Sequence, residues 1–161
     1  SEAGRLAGVG PMAAVAGAVA EWVGNFVAKR SRDVIVENGG DIFMRTSRTR
    51  KVGIFAGSSP LSNRIALEIK PNHTPLGICT SSGKVGPSLS FGKADAVVVL
   101  SPSVPLADAV ATAMGNLVQT PEDLERAVEF ASQIQGVTGA LAIKDDRLAL
   151  WGSVKLLPIN V

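Results

Sequence analysis

The stretch Leu106-Ala-Asp-Ala-Val-Ala-Thr-Ala-Met-Gly115 decides the fold of this chain. It follows an apolar run at 96–100 and a turn with two prolines at 101–105, which predicts a strand, a turn and a helix. On that helix Asp108 and Thr112 are four residues apart, so both side chains point the same way. A carboxylate and a hydroxyl that converge can hold a hard cation.

A structural alternative exists for the same two residues. A carboxylate in the first turns of a helix interacts favourably with the helix dipole, and a threonine hydroxyl can bond to a carbonyl of the preceding turn. Spacing alone leaves both interpretations of Asp108 and Thr112 open.

Composition indicates a globular protein and narrows its partners. The chain has 161 residues, of which 46% are hydrophobic and 19% charged, with a net charge of only +2. Its one dense basic patch, Arg45–Lys51, lies between two predicted strands and is interpreted as a solvated rim, with phosphate contact as the alternative. Because the aromatic residues do not alternate with basic ones, we expect no nucleic-acid partner.

Cysteine and histidine usage excludes several kinds of site. Cys79 is the only cysteine and His73 the only histidine, so neither an internal disulfide nor a zinc site of these ligands is expected. Cys79 lies in an apolar run and is predicted to be a buried thiol, whereas His73 lies in a predicted turn. Because Glu21 interrupts the longest apolar run and no basic leader segment precedes it, we expect no membrane partner and a cytoplasmic protein.

The segment after Gly10-Pro11 predicts the first long helix. Its larger apolar side chains follow a 3.6-residue period, and most other positions up to Ala20 are alanine or glycine. A helix that is apolar on every side is expected to be buried. The members of the periodic stripe are Met12, Val15, Ala16, Val19, Trp22, Val23, Phe26 and Val27.

The rest of the chain predicts strands that are often neighbours in sequence. Two of them, Val34–Asn38 and Asp41–Arg45, flank Gly39 and Gly40, a pair suited to a turn or to close approach of another molecule. Such neighbouring strands favour an α+β fold with an antiparallel or mixed sheet. Further strands are predicted at 52–56, 64–69, 76–79, 96–100, 137–143, 147–151 and 154–157, and a further helix from Thr120 to about Ile134.

Three hydroxyl residues follow the strand at 76–79. The run Thr80-Ser-Ser-Gly83 has the composition of a loop that binds an anion or a ribityl chain, but also that of an ordinary turn.

Four stretches in this order resemble the ApbE family. They are the Ala/Gly-rich helix, the run Asn38-Gly-Gly-Asp41, the loop Thr80–Gly83, and the segment Ala107-Asp-Ala-Val-Ala-Thr-Ala113. Members of that family are flavin transferases that move FMN from FAD to a threonine or serine of a target protein, using Mg²⁺. The chain is most similar to an uncharacterised branch, and the resemblance covers about residues 9–116.

The resemblance implies roles for individual residues. Asp108 and Thr112 match the family's metal-binding pair, and Ala13 is the nearest counterpart of a backbone carbonyl that completes that site. The residues that match the lining of the flavin-nucleotide cleft are Asn38, Gly39, Gly40, Asp41, Thr80, Ser81 and Ser82. The implied cofactors are Mg²⁺ and FAD or a related flavin, and the implied fold is one ApbE-like domain over residues 1–161. In that fold a mostly antiparallel sheet packs against the buried first helix and two further helices.

The chain departs from the family pattern at three places. Ala16 stands where family transferases carry a lysine, before the glycine that matches Gly17. The interval Lys84–Gly92 lacks the family's His-Ile-x-Asp-Pro segment. A further N-terminal strand region of the family has no counterpart in this sequence. The cleft is therefore expected to be incomplete or to be completed by another chain. Whether the protein forms a homo-oligomer is left open by the sequence.

Three hypotheses about function follow. The first is a metal-dependent enzyme that transfers or hydrolyses a phosphoryl group of a flavin-like dinucleotide, with Asp108 and Thr112 at the cation. The second is a protein that binds a flavin or another small anion without chemistry. The third is a structural subunit in which the same motifs stabilise turns and helix ends.

Overall fold

The computed structural model describes residues 2–83 and 92–159, and these residues form three layers. Helices cover one face of a six-stranded sheet, and a three-stranded sheet covers its other face. Paired strands are antiparallel throughout. The predicted α+β class with a mostly antiparallel sheet is therefore confirmed.

The helices and strands of the described residues have the following bounds. The helices are α1 (Glu2–Ala7), α2 (Val15–Ala28), α3 (Val104–Leu117) and α4 (Leu124–Ser132). The strands are β1 (Val34–Asn38), β2 (Asp41–Arg45), β3 (Arg50–Gly53), β4 (Ile65–Ile69), β5 (Leu76–Ser81), β6 (Ala96–Ser101), β7 (Gly139–Lys144), β8 (Arg147–Gly152) and β9 (Leu156–Pro158). The larger sheet has the order β1-β2-β5-β6-β7-β8, and the smaller one β3-β4-β9.

Strand β6 shows why the apolar runs of the sequence become central strands. Val97 and Val99 face the helices, whereas Val98 and Leu100 face the small sheet. A strand covered on both faces has no solvent side, so it needs apolar residues at every position and not at alternate ones.

The first long helix begins with a 3₁₀ turn at Pro11–Ala14 and continues as α2. The prediction that this helix is buried is wrong for its larger side chains, because its glycine and alanine face is the one that packs. Gly17, Ala20 and Gly24 are buried, whereas Met12 and Trp22 are 78% and 74% exposed. Small residues let the helix axis approach α3 and β2 more closely than the larger apolar stripe would.

Several smaller predictions are corrected. Thr80 and Ser81 continue strand β5 and are not loop residues, because they pair with Val98 and Val97 of β6. Helix α1 was not predicted, and α4 ends at Ser132 after a 3₁₀ turn at Pro121–Asp123. A capping box between Thr120 and Asp123 is present at that turn. Strand β3 begins and ends earlier than the predicted 52–56.

The predictions that Cys79 is buried and that His73 lies in a turn are confirmed. Cys79 is fully buried on the helix side of β5. His73 ends a short 3₁₀ turn at Pro71–His73.

One segment of the described residues, Pro11–Ala28, is long and apolar enough by length and composition to cross a membrane. The expectation that Glu21 makes this segment too polar to meet the criterion for a membrane span is therefore wrong. The support for a membrane span is weak, because core helices and leader segments satisfy the same criterion.

The basic patch at 45–51 is organised by one carboxylate. Asp33 accepts hydrogen bonds from the Ser47 hydroxyl at 2.6 Å and the Ser47 N–H at 2.8 Å, and Arg50 lies 3.4 Å away. Donors from Ser47, then Thr46 and Arg50, hold the pKa of Asp33 well below its usual range. The patch is thus partly neutralised within the chain, which favours the interpretation as a structural rim.

We expect Asp33→Ala to lower stability by more at pH 7 than at pH 3. The folded protein holds the pKa of Asp33 below its unfolded value, so this contribution is present above the unfolded pKa of about 3.9 and is lost as the pH falls through the folded value. Thermal unfolding of both proteins at pH 7 and pH 3 measures the difference. An equal difference at both pH values would contradict the expectation.

Candidate functional site

Asp108 links the two central helices of the helical layer. Its Oδ2 accepts a hydrogen bond from the Gly17 N–H at 2.8 Å, within a buried contact between α3 and α2. Gly17 is the third residue of α2, where an N–H has no carbonyl partner in its own helix. Asp108 is therefore a cap for α2, a structural role that differs from the predicted interaction with the dipole of its own helix.

Gly17 is required for this contact. A Cβ at this position would lie 2.7 Å from the Val104 carbonyl oxygen and 2.9 Å from the Asp108 Cβ. Both contacts are shorter than side-chain carbons adopt, so the closest approach of α2 and α3 depends on glycine.

Glu21 makes the reciprocal contact. Its Oε1 accepts a hydrogen bond from the N–H of Val104, the first residue of α3, at 3.0 Å. Each of the two helices thus places a carboxylate at the N-terminus of the other, where carboxylates are favoured. This role of Glu21 was not predicted, although Glu21 is the only acidic residue of its apolar segment and its isolation there was a usable signal.

We expect Glu21→Ala to lower the free energy of unfolding by about 1–2 kcal/mol, because the Val104 N–H loses its partner. Glu21→Gln keeps an acceptor oxygen and is the matched control, with a smaller loss. Urea unfolding of the three proteins measures the effect. Equal losses in both variants would show that the charge and not the hydrogen bond is responsible.

Asp41 lies beside Asp108 on the same side of the large sheet. Its side chain is 5% exposed, and its Oδ1 is buried without a hydrogen-bond partner. Burial first, and the nearby Asp108 carboxylate second, raise the pKa of Asp41 to about 7. Burial raises the pKa of Asp108 to about 6, against the opposing effect of the Gly17 N–H. The resemblance implied a role for Asp41 in lining the nucleotide cleft, but the structure places this carboxylate with the predicted metal pair.

The Cys79 thiol lies against the same two carboxylates. Burial and the charges of Asp41 and Asp108 raise the pKa of Cys79 well above its ordinary value. A thiol held in its neutral form is not an activated nucleophile, and soft thiolate ligation is not available at this place. Cys79 therefore acts here as a structural residue, as the sequence predicted.

The other two predicted metal residues border the carboxylate pair. Thr112 follows Asp108 by four residues on α3 and is partly buried. Ala13 lies in the 3₁₀ turn Pro11–Ala14, which contacts α3. In the described residues, 2–83 and 92–159, no three His, Cys, Asp or Glu side chains are grouped to hold a metal ion. A cation here would depend on two carboxylates with hydroxyl, carbonyl or ligand oxygens, a donor set that suits Mg²⁺ or Ca²⁺.

Asn38 connects strand β1 to the start of α2. Its Nδ2 donates a hydrogen bond to the Ala16 carbonyl at 3.2 Å. The peptide between Ala16 and Gly17 is thus held at both ends, by Asn38 at its carbonyl and by Asp108 at its N–H. In this structure Asn38 positions helix α2.

Gly39 and Gly40 form the two-residue turn between β1 and β2. Their φ angles are 65° and 99°, the left-handed values that tight hairpin turns require. The Glu37 carboxylate accepts a hydrogen bond from the Gly40 N–H at 2.6 Å, and the Thr80 hydroxyl donates to the Gly40 carbonyl at 3.1 Å. A Cβ on Gly40 would meet the Thr80 Oγ1, whereas the space beside Gly39 is open. The glycine pair thus forms a tight turn, and that turn has one open side.

A cavity of about 460 Å³ lies between the two sheets. Apolar side chains such as Ile42, Leu67 and Ile78 line its interior. Five predicted cleft residues with hydroxyl or backbone polar groups border it as well, namely Gly39, Gly40, Thr80, Ser81 and Ser82. An apolar interior with a few polar groups is typical of small-molecule sites.

The structure divides the predicted residues between two faces of the large sheet. Ile42 and Ile78 face the cavity, whereas their neighbours Asp41 and Cys79 face the helices. The turn at 39–40 lies where β1 joins β2, directly before Asp41. The carboxylate pair and the cavity are therefore adjacent around the end of this hairpin and are not one continuous pocket. The interval Lys84–Gly92, which lacks the family's His-Ile-x-Asp-Pro segment, lies outside the described residues except for Gly92.

Comparison with known proteins gives matches over nearly the whole chain. Residues 1–148 match the sequence profile of a family described as "AbpE bacteria". A UPF0280 protein of Methanosarcina acetivorans is 44% identical over 95% of this chain and 61% of its own length. A UPF0280 protein of Methanocella arvoryzae is 48% identical over 91% of this chain and 60% of its own length. The chain thus spans about three fifths of the length of these curated relatives.

Two solved structures share the fold. The flavin transferase ApbE from Vibrio cholerae has a TM-score of 0.57 at 20% identity, and the match covers 86% of this chain and 48% of that one. The apo flavinyl transferase ApbE of Pseudomonas stutzeri has a TM-score of 0.59 at 16% identity over 91% of this chain and 48% of that one. At such identities the likeness shows the fold alone.

Proposed function

Because the chain belongs to the family described as AbpE bacteria and has the ApbE fold, we propose that it binds a flavin nucleotide with Mg²⁺ and acts on its pyrophosphate. The observation that carries this proposal is the buried pair Asp41 and Asp108, with one Asp41 oxygen unpartnered. Two buried carboxylates repel each other, and a cation between them would relieve that repulsion.

The residues present fit a hard cation. Mg²⁺ is usually held by one or two carboxylates together with oxygens of a substrate phosphate, and it keeps waters at its other positions. Asp108 and Asp41 would supply the carboxylates, with Thr112 and the Ala13 carbonyl as the further oxygens that the family resemblance implies. The ion would polarise phosphate oxygens and offset the negative charge that develops on them.

The remaining residues would bind and orient the nucleotide. A dinucleotide has two ring systems joined by phosphates, so one ring system would lie in the apolar cavity while the phosphates extend around the turn at 39–40. The open side of Gly39 allows a ligand to approach the backbone there, and the Thr80–Ser82 hydroxyls border the same mouth. The cavity interior, lined by residues such as Ile78 and Leu67, would exclude water from a planar ring.

A second candidate function is flavin or small-anion binding without chemistry. The specific observation in its favour is Ala16, which stands at the lysine position of the family transferases and is held by Asn38 through its carbonyl. An alanine can neither move a proton nor neutralise a phosphate. In this second candidate function the cation and the cavity would still bind the ligand, but no bond of the ligand would be cleaved.

Product analysis tests the proposal. The protein is incubated with FAD and Mg²⁺, and the nucleotides are separated by reversed-phase chromatography. Hydrolysis takes up one water and releases FMN and AMP in equal amounts, and we expect both with the wild type and neither with Asp108→Asn. FAD that stays bound and unchanged for hours would establish the second candidate. FAD that does not bind at all would contradict the proposal and would leave binding of another small anion and the structural hypothesis.

A further inference from the structure

An apolar stripe on α2 is exposed along the length of the helix. It consists of Val15, Val19, Trp22 and Phe26 of α2 together with Met12 of the preceding 3₁₀ turn, and we call it the α2 stripe. Met12, Trp22 and Phe26 are 78%, 74% and 62% exposed, and the two valines are nearly half exposed. Large apolar side chains grouped in this way on a surface mark an interaction site.

The α2 stripe is free of charge. Within Pro11–Ala28 the only charged residue is Glu21, which is partly buried and is bound to the Val104 N–H. The opposite face of the helix, with Gly17 and Gly24, is already packed against the protein. What covers the stripe must therefore be apolar, and it must reach the helix from the solvent side.

The spacing of the α2 stripe is that of a helix–helix seam. Its members follow one another by three, four, three and four residues, the repeat through which two helices pack along their length. We propose that a second copy of this chain covers the stripe, through a two-fold pairing of α2 with α2. The proposal does not depend on the proposed flavin chemistry.

An antiparallel two-fold pairing centred on Val19 matches large side chains with smaller ones. It places Trp22 opposite Val15 of the second copy, and Phe26 opposite Met12 of the second copy. Such self-complementarity is what an isologous interface needs. The exposed area of the stripe is on the order of 600 Å² per copy, close to the roughly 800 Å² per partner of a standard interface.

A membrane is the less favoured occupant. If α2 crossed a bilayer, it would leave its contact with α3, and the Gly17 N–H and the Val104 N–H would lose their carboxylate partners. If α2 lay flat on a lipid surface, basic residues would be expected beside its apolar face, but Lys29 and Arg30 follow the end of the helix.

Sedimentation velocity of the 161-residue chain over a range of concentrations tests the pairing. We expect a dimer for the wild type, a monomer for Trp22→Lys, and a dimer for Leu150→Lys, a matched change at an exposed leucine of β8. Circular dichroism verifies that both variants are folded. A wild type that stays monomeric, or a Trp22→Lys variant that dimerises as the wild type does, would overturn the proposal.

Cross-linking provides a second test that does not introduce a charge. Val19→Cys should form a disulfide-linked dimer under mild oxidation, whereas the wild type should not, because Cys79 is buried. A monomeric protein that sediments with vesicles of anionic phospholipid would assign the stripe to a membrane and would overturn the dimer. Absence of the Val19→Cys cross-link would overturn the pairing centred on Val19.

Discussion

Gly17→Val should destabilise the protein by about 3–5 kcal/mol, through overpacking and through loss of a buried hydrogen bond to a carboxylate. Even the first carbon of the new side chain would lie 2.7 Å from the Val104 carbonyl oxygen. Backbone on α3 cannot move aside as a flexible side chain would, so the two helices must separate. Their separation stretches the Gly17 N–H contact with Asp108.

The matched control is Ala18→Val, which adds a β-branched side chain to the next position of α2, where the side chain is exposed. It lowers helix propensity without adding a contact with α3, whereas Gly17→Val raises propensity, so helix propensity alone would predict the larger loss for the control. Urea unfolding of the wild type and both variants gives the comparison. Similar losses for Gly17→Val and Ala18→Val would contradict the importance of the close crossing of α2 and α3.

Asp108→Asn should weaken Mn²⁺ binding about tenfold or more while the fold is kept. The amide oxygen can still accept the Gly17 hydrogen bond, but the negative charge that a cation needs is gone. Asp108→Ala removes both functions, so it should also lower the free energy of unfolding by about 1–3 kcal/mol. The electron paramagnetic resonance signal of free Mn²⁺ measures the affinity, and urea unfolding measures the stability.

The pair Asp108→Asn and Asp108→Ala separates the two roles of this carboxylate. Asp146→Asn, at an exposed aspartate of the turn between β7 and β8, controls for nonspecific loss of negative charge. If Asp108→Asn bound Mn²⁺ as the wild type does, Asp108 would be a helix cap only. The structural hypothesis would then replace the metal-dependent one.

The positions of most strands and the fold class could be predicted because their causes are local or nearly local. The run at 96–100 is apolar at every position because both faces of β6 are covered. The glycine pair at 39–40 marks a hairpin because two left-handed residues are needed between β1 and β2. A proline in the first turn of α3 marks where that helix begins.

The orientation of α2 could not be predicted from periodicity. Its large stripe and its small face, Gly17, Ala20 and Gly24, both repeat with the helical period, and burial of the large stripe was expected. The structure buries the small face because the neighbouring helix and the Phe43 ring lie too close for side chains. The distances from α2 to α3 and to β2 are set by how these three elements pack together. They cannot be read from the sequence of any one of the three.

The partners of the candidate site were also only partly predictable. Spacing brought Asp108 and Thr112 to one face of a helix, and that placement needs only the helical period. The approach of Asp41 to Asp108 depends on which face of β2 meets α3, and a strand has two faces. The capping of Gly17 by Asp108 depends in turn on the depth at which α2 packs.

Calorimetric titration of FAD into the wild-type protein, with Mg²⁺ and then with the metal removed by EDTA, tests the central claim most directly. The account predicts that Mg²⁺ tightens FAD binding by about tenfold or more, because the ion would join the phosphates to Asp41 and Asp108. Equal affinity in both conditions, or no binding in either, would contradict a cation site between these carboxylates that serves a flavin nucleotide.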